Sequence, residues 1–353
     1  MAQYKKTKSN NASDLFTGSL FSADALEKSL PSQREVMSHL LWSYSRRNLL
    51  EQCPRQYYFR HYGSLRSSQE SEAFRAQLQK LKLLKNRHFA AGQHLHALIA
   101  FYFKQAQKGH FLTVETLVTR ARERFRRDVD YSQRDPQGAS PPREPYPPAL
   151  LQEFFYELSD AQALCDETEN RMVQAMRNFA SHPIFAAVKE AGEQPGSKIE
   201  IRCDFQFGCR VTGKIDLLYP IEDGFVLVDW KMGESSDEGD DSLQLAAYAL
   251  WTCREFGCEP EQVQVFKAFL GSGDLVPFCA DSDGLEAAQA RILQDSARMA
   301  AVDNYGQKGV AEVFTACAQP GICRNCSYLQ VCADGKECLD YEDEEFWSDN
   351  ESE

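Results

Sequence analysis

One short stretch, LVDWKMG at 227–233, constrains this chain most strongly, because an apolar run ends there in two charges. Asp229 and Lys231 are separated by a single residue, Trp230. Side chains alternate between the two faces of a β-strand, so the acid and the lysine share one face and the tryptophan lies on the other. An unpaired carboxylate or ammonium is costly to bury. Charges at the end of a core strand therefore require partners.

A second acid, Asp216, lies in the upstream strand-like run GKIDLLY, and the connection PIEDGF contains the turn signal Asp223-Gly224. A turn centred between residues 222 and 223 sets Asp216 opposite Asp229, and a shift by one step sets it opposite Lys231. In both registers the three charged groups share a face.

Two neighbouring carboxylates repel each other unless a cation lies between them, and oxygen ligands suit Mg²⁺ or Mn²⁺. A protonated lysine cannot bind the metal, but it can orient a water and offset charge on a phosphate. This combination fits metal-assisted hydrolysis of a phosphodiester. The alternative is an ordinary ion pair on a solvent-facing sheet edge.

The flanking sequence predicts helices in the N-terminal half and a small sheet after it. Helical patterns occupy 43–52, 54–62, 71–107 (one helix or two in line), 113–129 and 149–192, with a proline-rich loop at 135–148. Strand formers follow at 198–207, 210–219, 225–230, 263–271 and 275–279, with helices at 241–256 and 283–303.

Asp216 with Asp229-Trp230-Lys231 resembles the PD-(D/E)xK signature of RecB-type nuclease domains. Upstream, Gly92 and His96 resemble the Gly-x3-His element of that group, whose histidine is a metal ligand. The spacing from the glycine selects His96 over His94, although both histidines could be ordinary helix residues.

Further elements of the resemblance follow in the family's order between residues 45 and 332. Glu200 lies on the strand before the hairpin, although it could be a structural acid. Gln244 and Tyr248 resemble a Gln-x3-Tyr element, and their spacing places both on one helix face. The resemblance implies metal ligation by His96, Asp216, Asp229 and the backbone carbonyl of Trp230, water positioning by Lys231, and supporting or DNA-contacting roles for Glu200, Gln244 and Tyr248.

Cysteines in the C-terminal segment have ligand-like spacing, with Cys323, Cys326 and Cys332 in CRNCSYLQVC. RecB-type nucleases with an iron–sulfur cluster, such as AddB and the CRISPR-adaptation nucleases, use one cysteine before the core and three after it. Cys53 resembles the first, so the resemblance implies a 4Fe–4S cluster, although four thiolates also suit zinc. Cys338 could compete with Cys332, but the spacing favours Cys332. The other cysteines are interpreted as core or incidental: Cys165, Cys203, Cys209, Cys253, Cys258, Cys279 and Cys317.

Charge is distributed unevenly. The formal net charge of −13 argues against nucleic-acid binding through bulk charge, but a local basic groove is compatible with it. The acidic run 234–241 either repels nucleic acid until displaced or is a flexible tether. The arginines near Cys53 either contact a DNA backbone or lie in solvent on an amphipathic helix pair: Arg46, Arg47, Arg55 and Arg60.

The resemblance implies an α/β, restriction-endonuclease-like core with a helical N-terminal half and a C-terminal iron–sulfur segment. The predicted parts are a flexible lead-in at 1–32, a helical region at 33–192 with the first cluster cysteine and the metal-binding histidine, a nuclease core at 193–305, a cysteine segment at 306–340 and an acidic tail at 341–353.

The expected substrate is single-stranded DNA or DNA ends, and the expected location is the cytoplasm, because the sequence lacks a membrane-length apolar run and a signal peptide. It also lacks a Gly-x4-Gly-Lys-Ser/Thr loop, so any unwinding requires a helicase or defence-complex partner. The alternative function is a DNA-end-binding or processing subunit of a CRISPR-adaptation or other defence or repair complex.

Overall fold

The computed structural model describes residues 41–339 except 141, 143 and 238–240. The predicted lead-in at 1–32 and the acidic tail at 341–353 lie outside the described residues, and the proposed domain boundaries stay predictions.

Helices make up most of the described chain between residues 41 and 193, as the sequence predicts. They are α1 (Tyr44–Gln52), α2 (Pro54–Tyr58) with a π-helical turn (Phe59–Gly63), α3 (Glu72–Leu81), α4 (Arg87–Ala106), α5 (Val114–Arg134), α6 (Gln152–Phe155), α7 (Ala161–Ser181) and α8 (Ala186–Glu193). The stretch 71–107 is two helices, since Asn86 caps α4 and interrupts the pattern.

A mixed six-stranded sheet follows, and the predicted α/β class is confirmed. Its strands are β1 (Leu41–Trp42), β2 (Lys198–Phe207), β3 (Cys209–Ile221), β4 (Gly224–Lys231), β5 (Val263–Phe269) and β6 (Asp274–Phe278). The order is β1-β3-β4-β5-β6, and β2 also pairs with β3. Later helices include α9 (Ser242–Phe256), α10 (Ser282–Gln307) and α11 (Pro320–Cys323), and residues 333–339 are also helical. Helix α9 connects β4 to β5, which are parallel, as such a pairing requires.

The β3–β4 hairpin adopts the register with its turn between residues 222 and 223, since Ile221 pairs with Gly224 and Leu217 with Val228. Continued by one step, this register sets Asp216 across from Asp229. Gly224 has φ 151°, and a Cβ there would lie 1.9 Å from the backbone carbonyl oxygen of Gln262. Glycine is therefore required where the hairpin passes beside β5.

Trp230 packs against helices α4 and α7 on one face of the sheet. Its ring lies 5.5 Å from that of Phe179 in α7 and 6.3 Å from that of Phe103 in α4, between ring centroids. Leu227, on the opposite face of β4, packs in a different cluster with Leu245 and Tyr248 of α9. Helices therefore cover both faces of the sheet. The side chains of Asp229, Trp230 and Lys231 alternate between these two faces, as predicted.

Candidate active site and cysteine cavity

Helix α4 brings His96 to the sheet. His96 Nδ1 lies 3.1 Å from Oδ1 of Asp216, which is buried in β3. Burial opposes the imidazolium, but the carboxylates of Asp216 and Asp229 together outweigh it and raise the pKa of His96. His94 instead lies 2.6 Å, through Nε2, from Oδ2 of the buried Asp128 on α5. The histidine selected by glycine spacing is thus the one that reaches the paired acids.

Asp216 also connects the histidine to β4. The Trp230 backbone N–H donates to Asp216 Oδ2 at 3.0 Å. Both carboxylate oxygens of Asp216 are therefore oriented, one by α4 and one by the strand that carries Asp229 and Lys231. The backbone of Trp230, whose carbonyl was predicted to be a ligand, belongs to this same group.

Asp229 is a buried acid with incomplete hydrogen bonding. Burial and the neighbouring Asp216 raise its pKa, while Lys231 and His96 oppose that rise. Lys231 Nζ lies 2.9 Å from Asp229 Oδ2, but the approach does not have hydrogen-bond geometry, so this buried oxygen lacks a donor among the described residues. A buried carboxylate oxygen without a donor is a position that a cation can satisfy.

Lys231 has a second carboxylate partner that the sequence did not indicate. Its Nζ lies 2.9 Å from Oδ2 of Asp241, the residue before α9, and Tyr44 donates its hydroxyl to Asp241 Oδ1 at 2.9 Å. Burial opposes the ammonium, but Asp229 and Asp241 outweigh it and raise the pKa of Lys231. One acid of the run 234–241 therefore belongs to the site, rather than to a repelling loop or a tether.

Glu200 lies directly across from Asp216, since Ile199 pairs with Leu217 and Ile201 with Ile215. Its φ of 52° departs from strand geometry. Its carboxylate lies 2.7 Å from Lys214 Nζ and 3.2 Å from Lys104 Nζ. Burial opposes the charge, but these lysines lower the pKa of Glu200. Glu200 therefore stands beside the site in its own ion-pair network.

Gln244 and Tyr248 lie on one face of α9, as predicted, and Gln244 Nε2 donates to the Tyr248 hydroxyl at 2.7 Å. Burial raises the pKa of Tyr248, and the charge of Asp229 adds to the rise. Gly213 makes this placement possible, because a Cβ there would lie 2.7 Å from the Tyr248 ring. The pair therefore closes the α9 side of the site.

The four predicted cluster cysteines converge on one cavity. Cys53, at the N-cap of α2, and Cys323, Cys326 and Cys332 from the C-terminal segment all line it. Burial raises the pKa of all four thiols, that of Cys326 to about 12.

Cys317, interpreted from sequence as incidental, lines this cavity too. Burial raises the pKa of its thiol, and the neighbouring thiols of Cys53 and Cys323 also act on it. Cys338 is also close enough to raise the pKa of the Cys323 thiol. Spacing alone did not indicate Cys317, because its contacts come from the folding of the segment back onto α2.

Within the described ranges, no three His, Cys, Asp or Glu side chains are arranged so that they could hold a metal ion. Neither the acids nor the thiols therefore form a complete metal site as they stand. Their chemistry still fits distinct groups. The oxygen-rich set at Asp216 and Asp229, with a donor-free buried oxygen, suits Mg²⁺ or Mn²⁺. The convergent thiols suit an iron–sulfur cluster or zinc.

Three of the four arginines near Cys53 pack against other elements of the fold, whereas Arg60 is exposed. Arg46 lies 2.8 Å, through Nη2, from the buried Asp303, and Arg47 lies 3.2 Å, through Nε, from the buried Asp295. Arg55 Nε donates to the backbone carbonyl of Phe314 at 2.5 Å. These three side chains hold α1 and α2 against α10 and the C-terminal segment, so they are not freely solvated, and a DNA contact stays a prediction.

The sequence model of the PD-(D/E)XK nuclease superfamily matches residues 41–333, which span the sheet, α4 and the cysteine segment. The chain belongs to the PD-(D/E)XK nuclease superfamily. Nucleases of this superfamily use Mg²⁺ or Mn²⁺, in agreement with the oxygen-rich site. The sheet with its flanking helices is accordingly a restriction-endonuclease-like fold.

Other comparisons add little about this PD-(D/E)XK protein. A solved structure titled "Crystal structure of SSO0001" is similar to it with 12% identity, covering 67% of this chain and 96% of the other, at a TM-score of 0.27. That score supports no structural argument. No curated protein matches the chain significantly. None of the helices described here is long and apolar enough to span a membrane.

Proposed function

We propose that this PD-(D/E)XK protein is a metal-dependent, RecB-like DNA nuclease that hydrolyses phosphodiester bonds in single-stranded DNA or at DNA ends. The observation that carries the proposal is the convergence on Asp216, whose two oxygens meet His96 of α4 and the backbone of Trp230. Asp229 and Lys231 flank that backbone position in β4. Residues that meet at one site from several elements indicate a function more strongly than a single ion pair does.

His96, Asp216, Asp229 and the Trp230 carbonyl would hold Mg²⁺ or Mn²⁺. When bound, the ion supplies Lewis-acid stabilisation of the phosphate and lowers the pKa of a water.

The chain's own groups prepare this site. The Trp230 N–H and His96 hold the Asp216 carboxylate in one orientation. Lys231, kept protonated by Asp229 and Asp241, orients the attacking water and offsets charge on the phosphate. The buried Tyr248, hydrogen bonded to Gln244, excludes solvent on the α9 side. Glu200 supports the rim through its two lysines.

We further propose that Cys53, Cys323, Cys326 and Cys332 hold a 4Fe–4S cluster. Their convergence on one cavity supports this, because Cys53 and the other three are distant in the chain. The cluster would fasten α2 to the C-terminal segment and so stabilise the fold. Zinc on the same thiols is the alternative, and metal analysis distinguishes the two.

The test is digestion of end-labelled single- and double-stranded DNA by anaerobically purified protein, with Mg²⁺, Mn²⁺ or EDTA. We expect cleavage with either metal, and none in EDTA. Asp229→Ala and Lys231→Ala should abolish it while the circular dichroism spectrum is unchanged. Full activity in EDTA, or in either variant, would overturn the assignment.

A second candidate is a processing or DNA-end-binding subunit of a CRISPR-adaptation or other defence or repair complex, whose cutting requires a partner such as a helicase. The contact that favours it is the placement of Lys231 between two carboxylates in the isolated chain. DNA binding without cleavage by the purified protein, restored by a partner, would support this candidate. Action in the cytoplasm is part of both proposals.

A further inference from the structure

One face of α4 lines an open cavity beside the paired acids. Phe89, Gly92, Gln93 and His96 line it at i, i+3, i+4 and i+7, the spacing of a single helix face. The cavity volume is about 520 Å³, and Glu200 and Lys214 contribute to the wall formed by the sheet. Because His96 contacts Asp216, this cavity leads directly to the site.

Phe89 presents its ring to this cavity. It is 53% exposed, whereas the next two residues, Ala90 and Ala91, are buried. Its backbone N–H is held by the Asn86 side chain at 2.8 Å, so the first turn of α4 is well fixed. An exposed phenylalanine needs no explanation by itself. Here its ring lines a large cavity two helical turns from His96.

Gly92 lies between the aromatic ring and the histidine on the same face. Apart from its chain neighbours and the backbone of its own helix, no described atom lies within 4 Å of where its Cβ would be. The helix backbone is therefore bare at that point, and a flat ligand can approach it closely. The space is open from Phe89 to His96.

The rim of the cavity carries an excess of positive charge. Lys85 Nζ donates to Gln93 at 2.7 Å. Lys214 and Lys104 both contact Glu200. Lys214 thus lines the cavity with Glu200, while Lys85 and Lys104 add two ammonium groups that contact lining residues from outside it. An aromatic platform beside local positive charge is the arrangement that binds single-stranded nucleic acid.

We propose that Phe89 is a stacking platform for one unpaired base of the nucleic-acid substrate, and that the adjoining backbone runs past Gly92 to His96. This inference rests on the proposed function, since it places a nucleic-acid strand at the candidate active site, and it names the substrate class. A base within a duplex is already stacked on both faces, so the platform selects single strands or frayed ends.

The test is equilibrium binding of fluorescein-labelled 20-nucleotide single strands in EDTA, measured by fluorescence anisotropy on the full chain. Loss of one base–aromatic stack should raise the Kd of Phe89→Ala for oligothymidine about 5- to 150-fold. Phe89→Leu, which keeps apolar bulk without a ring, should lose a similar factor, and Phe89→Trp should bind as the parent does. Phe111→Ala is the matched control, because Phe111 is 64% exposed but does not line this cavity.

An abasic 20-mer isolates stacking from charge. The parent and Phe89→Ala should bind it equally, because it has phosphates but no bases to stack. Equal Kd values of the parent and Phe89→Ala for oligothymidine, or an equal loss on both oligonucleotides, would overturn the stacking proposal. If the parent cleaves DNA but Phe89→Ala has the same Kd for oligothymidine as the parent, only this inference fails. If binding depends on Phe89 but the parent never cleaves, the nuclease proposal fails instead.

Discussion

Lys231 Nζ lies as close to Asp241 as to Asp229, at 2.9 Å from a carboxylate oxygen of each. Asp241 is itself held by the Tyr44 hydroxyl, so α1 is linked through one acid to the lysine proposed for catalysis. A lysine side chain has high rotamer entropy, and two fixed carboxylates restrict it. Both carboxylates therefore position the ammonium, and Asp241 supplies an anchor from outside the strand.

Replacing Asp241 by asparagine should lower kcat about tenfold with little change in KM, because the ammonium loses one charged anchor while the substrate-binding surface is kept. Single-turnover cleavage of labelled DNA measures this. Glu234→Gln, an exposed acid of the same run, is the control. Faster cleavage by Asp241→Asn would show instead that the acid restrains the lysine.

The two histidines of α4 should separate into a site role and a fold role. His96→Ala should raise the Mn²⁺ concentration needed for half-maximal cleavage, although it also removes a hydrogen-bond partner of the buried Asp216. His94→Ala should lower stability by about 1–3 kcal/mol, because it removes a hydrogen-bond partner of the buried Asp128. Metal titrations and thermal melts of both variants test this. Identical metal dependence in the parent and His96→Ala would make His96 an ordinary helix residue.

Local patterns predicted the elements of this fold well, because strand formers, helix caps and prolines act over a few residues. Asp229, Trp230 and Lys231 could be assigned to faces from alternation alone. The hairpin register could not, because the turn signal Asp223-Gly224 allows two turn centres one step apart.

Long-range side-chain contacts were also beyond the sequence. Arg46 suggested a DNA contact because its partner, Asp303, lies on a helix near the other end of the chain. Asp241 was hidden within an acidic run, and Cys317 lacked ligand-like spacing. The contacts of these three residues form only when distant elements pack together, and no local sequence pattern indicates them.

His61 should make stability depend on pH in the mildly acidic range. Burial, followed by the charges of Arg46, Arg60 and Lys82, lowers its pKa to about 3. The unfolded chain, with an ordinary histidine pKa near ~6.5, then binds a proton that the folded chain rejects. The free energy of unfolding is therefore not reduced by this group above pH ~6.5. Below that pH it falls by at most about 1.4 kcal/mol per pH unit.

Urea unfolding between pH 7.5 and 5.5 measures this dependence while most carboxylates remain ionised. His61→Gln should flatten the profile, and His110→Gln, at an exposed histidine, should not. A profile that is unchanged in His61→Gln would show that the imidazole titrates normally in the folded chain.

The cysteine cavity leads to a separable prediction, because its lining lies apart from Asp216 and Asp229. Protein purified without oxygen should be brown, with broad visible absorption and about four irons per chain. Cys53→Ala should bleach it and lower the melting temperature, since metal binding of this kind is coupled to folding. Asp229→Ala should stay brown while losing cleavage.

The neighbouring thiols decide whether the proposed ligands are correct. Cys317 lies against Cys53 and Cys323, so packing alone makes it as good a candidate as Cys332, and only ligand spacing favours the latter. Cys317→Ala and Cys338→Ala should therefore both retain colour and iron content, whereas Cys332→Ala should lose them. A colour that survives Cys332→Ala but disappears in Cys317→Ala would replace one proposed ligand by the other. Colourless protein with one zinc per chain would exclude the iron–sulfur cluster and leave the nuclease site untouched, because the two groups share no side chain.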